Sequence, residues 1–308
     1  MELNENANID TSQVNDVRGS GGGGGGGGGL GGMLPGGGGL IGIIIAVVVA
    51  LAGGGTALSQ MGGDDEPPNG ANGNAALQAK CSQPGKLEQL DCRNALYVNS
   101  IQDYWVDALP RSFGERYTPS QTTFFSQRVN TRCGAADSGV GPFYCPADDK
   151  VYIDLTFYRV LADQLGAQGE FAQPYVLAHE YGHHVQDLLG TEADMRRAQQ
   201  RDPGNANKLS VKLELQADCY AGAWAKNATT TDDRTGQILI KNLTEADIQQ
   251  GLDTAAKIGD DALQQQAGGQ VNQEAFTHGS SAQRQQWFRT GYDTGDPKQC
   301  DTFAAGVA

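Results

Sequence analysis

The chain has 308 residues, with 22 Lys and Arg against 36 Asp and Glu, for a net charge of −14. That acidity excludes nucleic-acid binding as the main role, because phosphate contacts need a basic face. All six cysteines lie after residue 80, and much of the glycine lies before it.

Residues 1–18 are polar and lack apolar periodicity, so they read as disordered. Residues 19–39 are almost pure glycine, broken by Leu30, Met33, Leu34 and Pro35. A phosphate-binding loop would need a strand, a helix and a Lys at fixed offsets, and none is present. Together residues 1–39 are expected to form a disordered cytoplasmic segment. Residues 40–58 read LIGIIIAVVVALAGGGTAL, inside a stretch without charge from residue 19 to residue 63. As a helix this run would measure about 28 Å, close to the hydrocarbon thickness of a bilayer. It is therefore expected to be one transmembrane helix. A cleaved signal peptide fits less well, because the start is acidic and the apolar run begins late. Arg18 before the span and Asp64, Asp65 and Glu66 after it favour an N-terminus inside and a domain outside. Residues 59–79 read as a linker and 80–308 as one domain.

The domain pattern is mainly helical α+β. Residues 87–109 carry apolar positions at helical spacing, with Pro110 as the expected stop. Short β-branched and aromatic stretches between Thr122 and Asp154 predict a small antiparallel sheet. Its edge near residues 151–154 is the expected place for an extended substrate to pair. Further helices are expected over 155–165, 171–189, 205–228, 245–266 and 281–290. The six cysteines contain no C-x-x-C pair. By proximity they are expected to pair as Cys81–Cys92, Cys133–Cys145 and Cys219–Cys300, which suits an extracytoplasmic location, periplasmic or extracellular.

The helix over 171–189 carries His179-Glu180-Tyr181-Gly182-His183, and three of the chain's four histidines lie between 179 and 184. Residues four apart share a helical face, so His179 and His183 can bind one Zn²⁺. Glu180 can then act as general base on a water activated by the ion. A third His six residues after His183 would complete one zinc class, but that position is Leu189. A carboxylate on a later helix is the alternative. Glu214 is the candidate ligand, and Asp218, four residues on, the candidate partner of a ligand histidine. His278 is the candidate oxyanion donor, with Tyr292 as the second candidate, and Arg284 is expected to hold that His or a ligand carboxylate in place. His184 reads as structural.

Residues 178–186, 213–219 and 276–279 resemble the bacterial neutral zinc metallopeptidase family of the YpfJ type, as does Asn15-Asp16-Val17-Arg18-Gly19. A more distant likeness is to the M48 peptidases among the gluzincins. The resemblance implies a zincin-like fold, a bound Zn²⁺, a protein or peptide substrate and one N-terminal membrane anchor. Two other roles compete: a catalytically inactive zinc-bearing scaffold, and a zinc amidase acting on cell-wall material.

Overall fold

A computed structural model describes residues 1–19 and 70–304. The expected membrane helix over 40–58 lies outside the described residues. Among the described residues, no helix is long and apolar enough to cross a membrane.

Helices dominate, and they pack beside a four-stranded sheet. Its strands are β2 (Val14–Asp16), β3 (Gln121–Phe125), β6 (Phe143–Cys145) and β7 (Lys150–Asp154), in the order β2-β3-β7-β6. β2 and β7 both run parallel to β3, and only β6 is antiparallel to its neighbour. The sheet is thus mixed, not antiparallel as expected. The helix α2 (Leu90–Phe113) and the following turn separate β2 from β3, which lets the chain re-enter in the same direction. In β7, Val151 and Tyr152 pair with both β3 and β6, whereas Ile153 and Asp154 pair with β3 alone. The outer strands of this sheet are β2 and β6. A hairpin of β4 (Arg128–Thr131) and β5 (Gly134–Asp137) and a short pair of β1 (Glu2–Leu3) with β8 (Ile240–Asn242) complete the strands described.

The first residues correct the expectation of disorder. Ala7, Ile9, Val14 and Val17 are buried, and β2 supplies a sheet edge. The expected linker also fails at its far end, where Ala71–Cys81 forms helix α1. Its first turn reads Ala-Asn-Gly-Asn, and Asn and Gly favour other conformations, although Ala75–Lys80 favour a helix. Neighbours hold it instead: Asp16 donates its backbone N–H to Asn74 Oδ1 at 2.6 Å, and Cys81 is bonded to Cys92. Pro110 does not stop α2, which continues to Phe113 and ends at Gly114 in the left-handed region. Proline withholds the N–H that Val106 would accept, but Val106 and Pro110 lie on the exposed face, where water can replace it.

The central helix is α4 (Ala172–Leu188), buried almost throughout. Pro174 falls in its first turn, where no N–H is required, and Gly190 at φ 73° ends it. It packs on α6 (Ala206–Asn227), and α9 (Ser281–Thr294) packs on the other side of α6. Glycines set these distances. A Cβ on Gly182 would lie 3.0 Å from Ala217 Cα, one on Gly222 2.0 Å from the Phe288 carbonyl, and one on Gly291 1.9 Å from the Cys219 carbonyl. Two short helices frame the bundle: α3 (Phe157–Asp163), and α5 (Thr191–Arg201), which is polar enough to escape a periodicity reading. The helix expected over 245–266 is two, α7 (Glu245–Lys257) and α8 (Asp260–Gln266), broken at Gly259. The Ser281 backbone nitrogen would lie 2.4 Å from a Cβ there. All three expected disulfides form, and no described cysteine is free.

Candidate metal centre

α4 and α6 bring His179, His183 and Glu214 together, with one ligand atom from each within 4.8 Å of the others. His179 Nε2 is 3.0 Å and His183 Nε2 3.5 Å from the same oxygen, Glu214 Oε2. The outer nitrogens explain the inner ones. His179 Nδ1 faces Asp218 Oδ1 at 2.8 Å, and His183 Nδ1 faces Gln186 Oε1 at 2.9 Å. Each Nδ1 therefore carries a hydrogen for an oxygen acceptor, which leaves each neutral ring with its Nε2 lone pair turned inward. Two lone pairs and a carboxylate oxygen then converge in a buried space. That donor set repels itself unless a cation joins it, and two His with one Glu is a familiar catalytic zinc set. The residues fit Zn²⁺.

Around this set runs a chain of supports. Arg284 donates from Nε to Asp218 Oδ2 at 2.8 Å and from a terminal nitrogen to Oδ1 at 3.0 Å. Tyr175 OH donates to Asp218 Oδ1 at 2.6 Å. Arg284 thus acts through the Asp218 carboxylate on His179, rather than on His278 or on the ligand carboxylate itself, the two partners expected for it. Gln186 is held in turn: its amide donates to the Leu213 carbonyl and to Gln216 Oε1, and Gln216 donates to the Cys300 carbonyl beside the Cys219–Cys300 bond.

The charge states follow from these contacts. Burial pushes the Glu214 carboxyl up, but His183, His278 and His179 outweigh it and hold it well below its usual range. Burial opposes ionisation of Asp218 too, and Arg284 and His179 overcome it. Burial would lower His179, yet Asp218 and Glu214 raise it to about 10. Without an ion, a proton on His179 takes the place of positive charge. Glu180 behaves differently. Burial raises its carboxyl, and the two histidines and the Tyr144 backbone amide only partly offset this. Its Oε2 is buried and has no hydrogen-bond partner, a costly arrangement for a carboxylate oxygen.

His278 reaches the same cavity from the loop before α9. Asp260 at the start of α8 holds it there. Asp260 Oδ2 accepts the backbone N–H groups of Thr277, His278 and Gly279 at 2.7, 2.7 and 3.0 Å, and Oδ1 lies 3.2 Å from His278 Nδ1. His278 Nε2 is thereby the nitrogen free to face the cavity. Tyr292 is not in the site; its ring lies under Lys226 and Arg289. His184 is structural, bonded through Nε2 to the Thr118 carbonyl at 2.7 Å and through Nδ1 to Tyr144 OH at 3.1 Å.

The cavity measures about 60 Å³, with Val140, Pro142, Phe157, Val176 and Ile258 as apolar walls. That is room for an ion and a solvent molecule, so a chain-like substrate must lie along the rim. Sequence reasoning missed Tyr175, Gln186 and Asp260. Gln186 carried a usable signal, since it lies three residues after His183 on the same helical face. Asp260 carried none, because its contact depends on the break at Gly259.

The model of a family described as "Putative neutral zinc metallopeptidase" matches residues 4–303. An uncharacterized protein of Mycobacterium tuberculosis is 50% identical over 218 residues, covering 70% of this chain and 71% of its own. The uncharacterized protein YpfJ of Escherichia coli K12 is 44% identical over 214 residues, covering 69% of this chain and 71% of its own. No solved structure matches the chain. The chain belongs to this zinc metallopeptidase family.

Proposed function

We propose that the chain is a gluzincin-type zinc endopeptidase acting on protein or peptide substrates. The observation that carries this reading is Glu180 Oε2, buried and unpartnered beside three converging ligand atoms. A closed structural zinc site has no use for such a carboxylate, so the scaffold reading explains less.

His179, His183 and Glu214 would hold the ion, and Zn²⁺ when bound supplies Lewis acidity that makes water a competent nucleophile near neutral pH. Glu180 takes the proton released as water attacks the scissile carbonyl and delivers it to the departing amine. Its raised affinity for a proton suits that transfer. His278 turns Nε2 toward the developing oxyanion while Asp260 fixes the ring. Arg284 and Asp218 orient His179. The substrate backbone pairs with the free edge of β6, where the Tyr144 amide faces Glu180.

The domain would work outside the cytoplasm, a reading supported by its three disulfides. Contact with a membrane through residues 40–58 belongs to the same proposal and rests on their uncharged apolar sequence. The test compares wild type with Glu180→Gln on an unfolded-protein or peptide library, at equal zinc content. Cleavage is expected to fall roughly 10²–10⁴-fold with the melting temperature unchanged. If zinc-loaded wild type cleaves nothing that the variant spares, the peptidase reading is wrong.

A further inference from the structure

We infer that residues 1–18 and the metal centre lie on the same side of any membrane the chain meets. The expected arrangement, with the N-terminus inside and the domain outside, requires the two parts to be separated. They are instead interleaved. β2 is an edge of the main sheet, pairing Val14 with Thr122, Asn15 with Thr123 and Asp16 with Phe124. Beyond the strand, Val17 donates its backbone N–H to the Phe124 carbonyl at 2.9 Å. Asp10 and Asn99 in α2 exchange two hydrogen bonds, at 2.9 and 3.0 Å. Arg18 donates to Asp91 at 2.8 Å, and the same carboxylate takes Lys80 at 2.7 Å. Ala7, Ile9, Val14 and Val17 are buried among domain residues.

Gly70 and Gly73 lie against Asn15 and Asp16. Gly70 donates its backbone N–H to Asn15 Oδ1 at 3.1 Å. Cβ atoms on Gly70 and Gly73 would lie 2.3 and 2.0 Å from the Asp16 carbonyl oxygen. A single helical crossing by residues 40–58 would put its two flanks about 28 Å apart, on opposite faces of a bilayer. No such crossing is compatible with β2 in the sheet. This inference does not depend on the peptidase reading, and its test involves no catalysis.

Two single variants of the full chain, Glu5→Cys and Val106→Cys, place one thiol at an exposed point of each part; Val106 is 41% exposed. Cells producing each are treated with a membrane-impermeant maleimide, intact and after permeabilisation, against wild-type background. The expected result is the same pattern at both positions: labelling in intact cells for both, or only after permeabilisation for both. Labelling of one position in intact cells while the other needs permeabilisation overturns the inference. A second measurement uses purified full-length chain with Val14→Asp. Its melting temperature is expected to fall, and an unchanged value would mean that the strand is not docked.

Discussion

Asp218 and Asp91 are each held from two sides, Asp218 by Arg284 and His179 and Asp91 by Arg18 and Lys80. Their surroundings differ. Asp218 and Arg284 have side chains 0% and 2% exposed, whereas those of Arg18 and Lys80 are 26% and 45% exposed. A charge in the first cluster has no water to fall back on, so every member must be satisfied by another. The second cluster can exchange any partner for solvent. Dry pairing is what a metal centre needs to keep its rings aimed. Half-wet pairing is enough to fasten a strand to a sheet edge.

The sharpest test of that contrast is Asp218→Ala, which leaves the Arg284 charge buried and His179 Nδ1 unpartnered. Stability is expected to drop by about 3–5 kcal/mol, read by denaturant unfolding. Zinc affinity should weaken roughly 10–100-fold, read by competition with a chelator. Asp218→Asn, which keeps the shape, should unfold less readily than Asp218→Ala. Next in size is the Cys219–Cys300 bond, which closes a separation of 81 residues beside Asp218. Replacing both cysteines by Ala is expected to cost about 2–4 kcal/mol and to loosen the Gln216–Cys300 support behind His183.

On the other side, Arg18→Ala should cost no more than about 1 kcal/mol and leave zinc content and cleavage unchanged. A loss of zinc in that variant would erase the distinction between the two clusters. The pH response of the Asp91 cluster has a definite sign. Burial raises its carboxyl, but Lys80 and Arg18 prevail and hold it below its unfolded value. Its contribution is therefore complete above the usual carboxylate range and is lost as pH falls through the depressed folded value. Acid melts of wild type and Arg18→Ala should converge there.

A separate effect concerns Asp103, near the N-terminal segment. Burial, then Asp233, raise its carboxyl to about 7. The folded chain keeps a proton that the unfolded chain gives up, so stability declines as pH rises from the carboxylate range through about 7. Asp103→Asn should flatten that decline, as a gain in melting temperature at pH above 7 that shrinks in acid.

The metal ligands were readable because helical spacing alone puts His179 over His183 and Glu214 one turn before Asp218. The disulfides were readable because their cysteines are close in sequence or are the last ones left. β2 was not readable: three polar-flanked residues acquire strand character only from β3, more than a hundred residues away. α1 and Pro110 mislead for the same reason, since local preference was overruled by the contacts around Asp16 and by the exposed position of Val106. The side on which residues 1–18 lie depended on that hidden strand, whereas the parallel pairing of β3 with β7 is independent of it.

The glycines at 222 and 291 remain. Both stand inside helices, where each costs about 1 kcal/mol relative to alanine. Each occupies a point where the opposing backbone leaves no volume for a methyl group. They act as a spacing gauge. Asp218 lies four residues before Gly222 on α6, and Arg284 lies seven before Gly291 on α9. The reach of one side chain to the other is thus calibrated by two absent carbon atoms at the crossing. Changing either glycine to alanine would disturb the aim of His179 without touching any residue that bonds to it.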